Sequence, residues 1–229
     1  MRHRVSDERA PDPLTSFISR SLRTEVTEVS EEIVQDTTEA ELDRVHFTQD
    51  GARRTLIVKR VPPHSSLEVK LLPHLARKTD RVPVVHARGI PPTMVPAWPW
   101  LLIEDLLGAP AADDLADVVR AKVAVERAVA ADGPALVALG VPRIARRGAL
   151  AEWPEVIVHG ALVRLNAVRT DRGVVLTEWR HASLGCGLTD VVRLARDAGA
   201  PARPLAELYA NESGRPLTET ALAAALELL

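Results

Sequence analysis

Through the first half of the chain, apolar and polar residues alternate at the two-residue period of β-strands. Glu25 to Gln35 alternates through Val26, Val29 and Ile33 and predicts one long strand or a strand pair, with Thr37-Thr38 in the following turn. Glu41 to Thr48 alternates again through Leu42, Val45 and Phe47. Gln49-Asp50-Gly51-Ala52 has the chemistry of a hairpin turn. Arg54 to Val61 is the strongest strand of the three, and together they predict an antiparallel sheet. Leu14 to Arg23, ahead of the sheet, reads as a short amphipathic helix. Behind it, Pro62-Pro63 ends the third strand. Ser65-Ser66-Leu67-Glu68 then reads as a capping box opening a helix whose apolar face is Leu67, Leu71, Leu72 and Leu75. Pro73 inside that helix is expected to kink or split it. Val82 to Ala87 and Trp100 to Ile103 predict two further strands, joined through the Pro-rich stretch Pro91 to Pro99.

The second half changes period. Asp113 to Ala131 is the longest helical segment, with Leu115, Val118, Val119, Val125 and Val129 on one face, and Gly133-Pro134 is expected to stop it. Ala135 to Ala151 predicts a short helix or turn and holds a basic knot, Arg143 to Arg147. Two β-branched runs, Ala167 to Arg169 and Val174 to Thr177, flank the turn Thr170-Asp171-Arg172-Gly173. A hairpin folded about Arg172 puts Asn166 opposite Glu178 at its open end. Leu188 to Ala198 predicts a helix ended by Gly199-Ala-Pro201, and Leu205 to Tyr209 a short helical piece. Thr218 caps a last helix, with Leu222, Leu226 and Leu229 on one side as a possible homodimer contact. There is no internal repeat, and the class is α+β.

Composition narrows the function classes. A chain of 229 residues makes one domain of two lobes or two small domains. Hydrophobic residues are 46% and charged residues 26%, ordinary for a globular protein. A net charge of -2 removes the electrostatic case for a nucleic-acid or membrane partner. One cysteine, Cys186, excludes an internal disulfide and fits a reducing, cytoplasmic setting. Residues 1–13 are charged, contain Pro11 and Pro13, and read as a mobile tail without a signal peptide's apolar core. The apolar run Trp98 to Ile103 stops at Glu104-Asp105, short of membrane-spanning length. Lysine occurs only at 59, 70, 78 and 122, so each one raises a question.

Lys59 lies mid-strand in Leu56-Ile-Val-Lys-Arg60 and needs a partner or an exit to solvent. Two readings stand. Either Lys59 sits on an exposed sheet face while Glu68 closes a capping box, or Lys59 is a phosphate-contacting lysine paired with Glu68. Asn166 and Glu178, converging beside the His159-Gly160 loop, are hard oxygen ligands suited to Mg²⁺. Their plainer readings are a polar residue opening a hairpin and a solvent-facing carboxylate.

The segments His159-Gly-Ala-Leu-Val-Arg-Leu-Asn166 and Leu176-Thr-Glu-Trp179 resemble the catalytic and metal loops of the aminoglycoside phosphotransferase family. The family's pattern is His-Gly-Asp, an Asn five residues later, and an Asp-Trp or Asp-Phe pair ending a strand. The resemblance implies a protein-kinase-like bilobal fold, with an N-terminal lobe over residues 14–103, a hinge over 104–108 and a shortened, mostly helical C-terminal lobe over 109–229. It implies ATP and Mg²⁺ as cofactors. The nucleotide would meet Lys59, Glu68 and the hinge groups Glu104 C=O and Leu106 N–H, and the metal would meet Asn166 and Glu178. It makes His159 a loop brace and Asp190 a structural brace. The sequence departs from the family at Ala161, in the place of the catalytic Asp, at Glu178, in the place of the metal-binding Asp, and at Val163-Arg-Leu165. Losing a positioned general base costs about 10²–10⁴ in rate. A single Asp-to-Ala exchange at 161 explains only one of these departures. The expectation is therefore a degenerate, pseudokinase-like homologue that binds ATP weakly and acts by binding or regulation on an unidentified small molecule or protein. The alternative is a working ATP-dependent phosphotransferase with a hydroxyl acceptor such as an aminoglycoside or another polar metabolite.

Overall fold

The computed structural model describes residues 13–89 and 98–228. The tail expected over 1–13 lies outside the described residues except Pro13, as does the Pro-rich connection up to residue 97. Helix α1 (Pro13–Leu22) precedes strands β1 (Thr27–Asp36), β2 (Glu41–Gln49) and β3 (Ala52–Arg60), then helix α2 (Leu67–Ala76) and strands β4 (Val85–Gly89) and β5 (Trp100–Glu104). The strands form one antiparallel sheet in the order β1-β2-β3-β5-β4. The β2–β3 turn places Asp50 at φ 50° and Gly51 at φ 75°, the left-handed pair that a two-residue hairpin requires. Lys59 pairs with Leu42 and Leu101, so the lysine strand is flanked on both sides.

Strand parity divides the sheet's faces. Leu56 and Val58 of β3, with Val45, Phe47, Trp100 and Leu102, pack with Ile18 of α1. Ile57 and Lys59, one residue out of phase, turn to the opposite face. Lys59 is 3% exposed, which overturns the reading that put it on a solvent face.

The expected capping box does not form. Ser66 precedes α2 in the right-handed helical region, without a side-chain cap bond, because Glu68 turns inward. Pro73 does not split the helix either. Its missing N–H leaves the carbonyl four residues back without a helical donor, and Arg88 donates to Val69 O at 3.4 Å.

Helix α3 (Leu115–Ala128) is capped by Asp114, which accepts from Ala116 N at 2.8 Å. Gly133-Pro134 does not end α3 but opens α4 (Gly133–Ala138), since proline suits a first helical turn. Strands β6 (Val156–Val158), β7 (Ala167–Thr170), β8 (Gly173–Leu176) and β9 (Ser183–Gly185) follow, then α5 (Leu188–Asp197), α6 (Ala202–Glu212) and α7 (Glu219–Glu227). β7 and β8 form the predicted hairpin, and β6 pairs with β9. α6 is longer than expected, running from just past Pro201 to Glu212. Thr218 caps α7, accepting from Ala221 N at 3.1 Å. The buried face of α7 is Ala221, Leu222 and Ala225, whereas Leu226 is half exposed. Leu222 is therefore spent inside the chain, and Leu229 lies outside the described residues. One apolar cluster joins α2 and Leu101 to α3, α5, α6 and α7, so the sheet and the helical part share a core. The whole is an α+β fold of two lobes. Among the described residues no helix is long and apolar enough to cross a membrane.

Candidate active-site cleft

A cleft of about 140 Å³ lies between the sheet and the β7–β8 hairpin. Lys59, Glu68, Glu104, Leu106 and Glu178 all line it, with Ile57, Leu72 and Ile103 among its apolar walls. Lys59 stands at its centre. Its Nζ is 2.7 Å from Glu68 Oε2 and 2.6 Å from Glu178 Oε1. Burial pulls the Lys59 pKa down, but the two carboxylates outweigh it, and the net is raised above 10.5. Glu178 is a mirror image. Burial pushes its carboxyl up, the Lys59 ammonium pulls it down more, and the net lies below 4.5.

The backbone brings these groups together. Glu178 adopts a left-handed conformation, φ 64° and ψ 54°, which a residue other than glycine holds only under tertiary constraint. Trp179 N donates to Glu68 Oε1 at 3.0 Å, tying α2 to the segment after β8. The buried Trp179 ring lies 4.6 Å from that of His159. The hairpin register differs by one residue from expectation. Its turn centres between Asp171 and Arg172, so Thr177 N bonds Asn166 O at 2.9 Å, and Asn166 stands opposite Thr177 rather than Glu178.

The loop after β6 is held from below. Asp190 accepts from His159 N at 2.6 Å and from Gly160 N at 2.9 Å. His159 is buried. Desolvation keeps its imidazole below the ordinary pKa of 6.5, so it is neutral and bonded through Nε2 to Thr177 O at 2.7 Å. Gly160 has φ 79°, and an added Cβ there meets the His181 carbonyl, so only glycine fits. Ala161, the next residue, offers only a methyl group. Asn166 Nδ2 donates to Ala161 O at 2.9 Å, which leaves Oδ1 as the free acceptor.

The segment after β5 is fixed by side chains. Glu104 accepts from both terminal nitrogens of Arg172, with Arg172 Nη1 at 2.8 Å, and from Val84 N at 3.1 Å. Burial raises the Glu104 pKa and Arg172 lowers it by more, for a net decrease. Arg44 donates to Asp105 Oδ2 at 2.7 Å and to Leu107 O at 3.2 Å. The β1–β2 turn offers no phosphate cradle. Its Glu39 and Ala40 amides donate to Thr37 Oγ1 at 3.3 and 3.2 Å. Two residues past Glu178, Arg180 Nη1 meets Glu39 at 2.5 Å, and Arg180 Nε lies 3.5 Å from Glu178.

As a metal site, Asn166 Oδ1 and the Glu178 carboxylate are the hard oxygen donors that Mg²⁺ takes. Among the described residues no group of three or more His, Cys, Asp or Glu side chains is placed to hold a metal ion. These two residues would therefore hold Mg²⁺ only together with phosphate oxygens, where the ion would neutralise phosphate charge.

Sequence reasoning missed a buried network beneath the loop. Lys122 is fully buried, pairs with Glu126, donates to Ile157 O at 2.9 Å and lies 3.4 Å from Asp190 Oδ2. Tyr209 donates to Glu126 at 3.0 Å. Burial pulls the Lys122 pKa down and Glu126 and Asp190 raise it more, so it is charged. Removing one member of such a buried set costs about 3–5 kcal/mol, because the other charges stay behind unpaired. The signal in the sequence was Lys122 and Glu126 one turn apart inside an apolar helix.

The sequence matches no protein-family model and no curated protein. Solved structures do match. A macrolide 2'-phosphotransferase from Brachybacterium faecium is 18% identical, with 95% of this chain and 88% of that one covered at a TM-score of 0.59. A spectinomycin phosphotransferase solved with ADP and spectinomycin is 9% identical, with coverage of 93% and 82% and a TM-score of 0.61. A choline kinase from Cryptosporidium parvum is 11% identical, with coverage of 94% and 84% and a TM-score of 0.57. At such identities the likeness establishes a kinase-like phosphotransferase fold.

Proposed function

We propose that this chain is an aminoglycoside-phosphotransferase-like protein that binds a nucleotide weakly and has lost phosphoryl transfer, acting by binding or regulation. The observation that carries the loss of transfer is that, among the described residues, the carboxylates of this loop and of the cleft are all engaged elsewhere. Asp190, which braces the loop, is buried, with both oxygens engaged by the His159 and Gly160 amides. The carboxylates lining the cleft are each committed to a cation: Glu68 and Glu178 to Lys59, and Glu104 to Arg172. A neutral methyl group neither orients a hydroxyl nor takes its proton.

Two features support weak nucleotide binding. Lys59 retains its carboxylate partner on α2, and relatives in fold bind ADP, as the spectinomycin phosphotransferase does. However, the cleft's 140 Å³ lies below the about 300–1,000 Å³ of ordinary ligand pockets. A nucleotide must part its walls and share Lys59 with Glu178. Each requirement costs affinity.

The test is a thermal-shift titration with ATP, with and without Mg²⁺, on the wild type and Lys59→Ala, beside an assay of ATP turnover. A nucleotide at tenfold its Kd adds about 1.4 kcal/mol, an upward shift of about 3–6 °C for a chain of this size. The shift is expected in the wild type at millimolar ATP and absent in Lys59→Ala, with no turnover. Turnover by the wild type would instead establish the working small-molecule kinase. No shift at any ATP concentration would remove nucleotide binding altogether.

A further inference from the structure

A second cavity, of about 380 Å³, opens on the far side of the Gly160 loop. It shares no lining residue with the Lys59 cleft, and its volume falls in the usual range for a small-molecule site. Its walls come from the stretch before β6 (Ile144, Arg146, Leu150), from Val158, from the segment His181 to Cys186 and from the first turns of α5. The apolar part is Ile144, Leu150, Val158 and Leu228.

The polar part is one-sided in charge. Arg146, Arg193 and His181 line the cavity, and Asp190 is its sole lining acid. Asp190 is not available to them, since its carboxylate accepts two backbone amides and faces Lys122 from below. Arg146 is fixed by a hydrogen bond to Trp153 O, which holds one guanidinium in the wall. Arg193 makes no hydrogen bond or ion pair among the described residues, and most other arginines of the chain do. The basic knot of the sequence, Arg143 to Arg147, thus delivers one of its arginines to a cavity that a second, unpaired one also lines.

We infer that this cavity binds a small organic anion, a phosphate or carboxylate group on an apolar body, between Arg146 and Arg193. The anion would take the Arg193 fork, the geometry that guanidinium offers to both groups. The apolar body would lie on Ile144, Leu150 and Val158. The site does not depend on nucleotide binding in the other cleft, and each reading stands or falls alone.

Phenyl phosphate is the probe, titrated by calorimetry at low salt against phenol and inorganic phosphate. Phenyl phosphate is expected to bind more tightly than either, because it alone carries both halves. Arg193→Ala is expected to weaken it by about tenfold to a hundredfold, the range for a hydrogen bond to a charged group. Ala145→Trp, at the exposed rim, is expected to block binding without altering charge, while Lys59→Ala leaves it unchanged. Arg193→Ala and Ala145→Trp should melt as the wild type does, and binding by a folded variant is the readout. Equal binding of phenol, an unchanged Kd in Arg193→Ala, loss in Lys59→Ala, or no heat at millimolar probe would each overturn the inference. Benzoate binding as tightly as phenyl phosphate would assign the site to carboxylates and phosphates alike, whereas weaker benzoate binding would narrow it to phosphates.

Discussion

Lys59 is one ammonium shared by a buried carboxylate, Glu68, and a partly exposed one, Glu178, and this arrangement has a signature in pH. Glu178 has its pKa lowered in the folded chain, so the stability it contributes is present above about 4.5 and lost as the pH falls through the lowered value. Glu178→Gln removes that contribution. The wild type should exceed the variant in urea midpoint at pH 7, and the gap should close as the pH drops from 5 toward 3. A gap that stays constant over that interval would contradict the ion pair. Part of this residue-level picture was legible in advance. A lysine following the apolar run Leu56 to Val58 calls for a partner or an exit to solvent, and pairing with Glu68 was one of the two readings. The remainder was not. Ser65-x-x-Glu68 satisfies the capping pattern as well as it satisfies Lys59, and only the buried ammonium decides which one Glu68 serves. Two partners of Lys122 were invisible for a related reason, since Ile157 and Asp190 reach it from elements far along the chain.

At the scale of elements, periodicity located the five strands of the sheet, the β7–β8 hairpin and most of the helices, but not the short strands β6 and β9. Its failures cluster where a local rule met tertiary contact. Pro73 remains within α2 because Arg88, from β4, satisfies the carbonyl that proline orphans. Gly133-Pro134 reads equally as a stop or a start, and α3 has already ended at Ala128. The hairpin slipped by one residue because the turn has two central residues, Asp171 and Arg172, rather than one. Where caps were predicted and formed, their worth is measurable. Thr218→Ala removes the oxygen that accepts from Ala221 N and should cost about 1 kcal/mol. That corresponds to a fall in Tm of about 2–4 °C for a chain of this size. Thr218→Asp should recover it, and a Tm unchanged in Thr218→Ala would mean that α7 is held by Leu222 and Ala225 alone.

The whole molecule combines two lobes with an undivided interior. Val61, Leu71 and Leu101 from the sheet side share a cluster with Leu162, Trp179 and Leu188 from the helical side. The smaller cluster under α1 touches only the outer sheet face. Unfolding should accordingly be one cooperative step, with far-ultraviolet dichroism and tryptophan fluorescence superimposing across a urea titration. A biphasic curve would show that the lobes melt separately. Fold class and element order were accessible at this scale because they rest on many residues at once. The tightness of the cleft was not, because it depends on pairs such as Arg172 with Glu104 that no pattern announces.

The chain's one thiol belongs to Cys186, which is buried just before α5 and lines the arginine-walled cavity. Burial pushes its pKa above 9.0, so the native thiol is both sheltered and protonated. A disulfide-exchange reagent can reach it only when the packing around the Gly160 loop breathes. The molecule thus carries a single-site clock: the rate at which Cys186 is modified counts the openings of this region, and any occupant of the cavity should slow it.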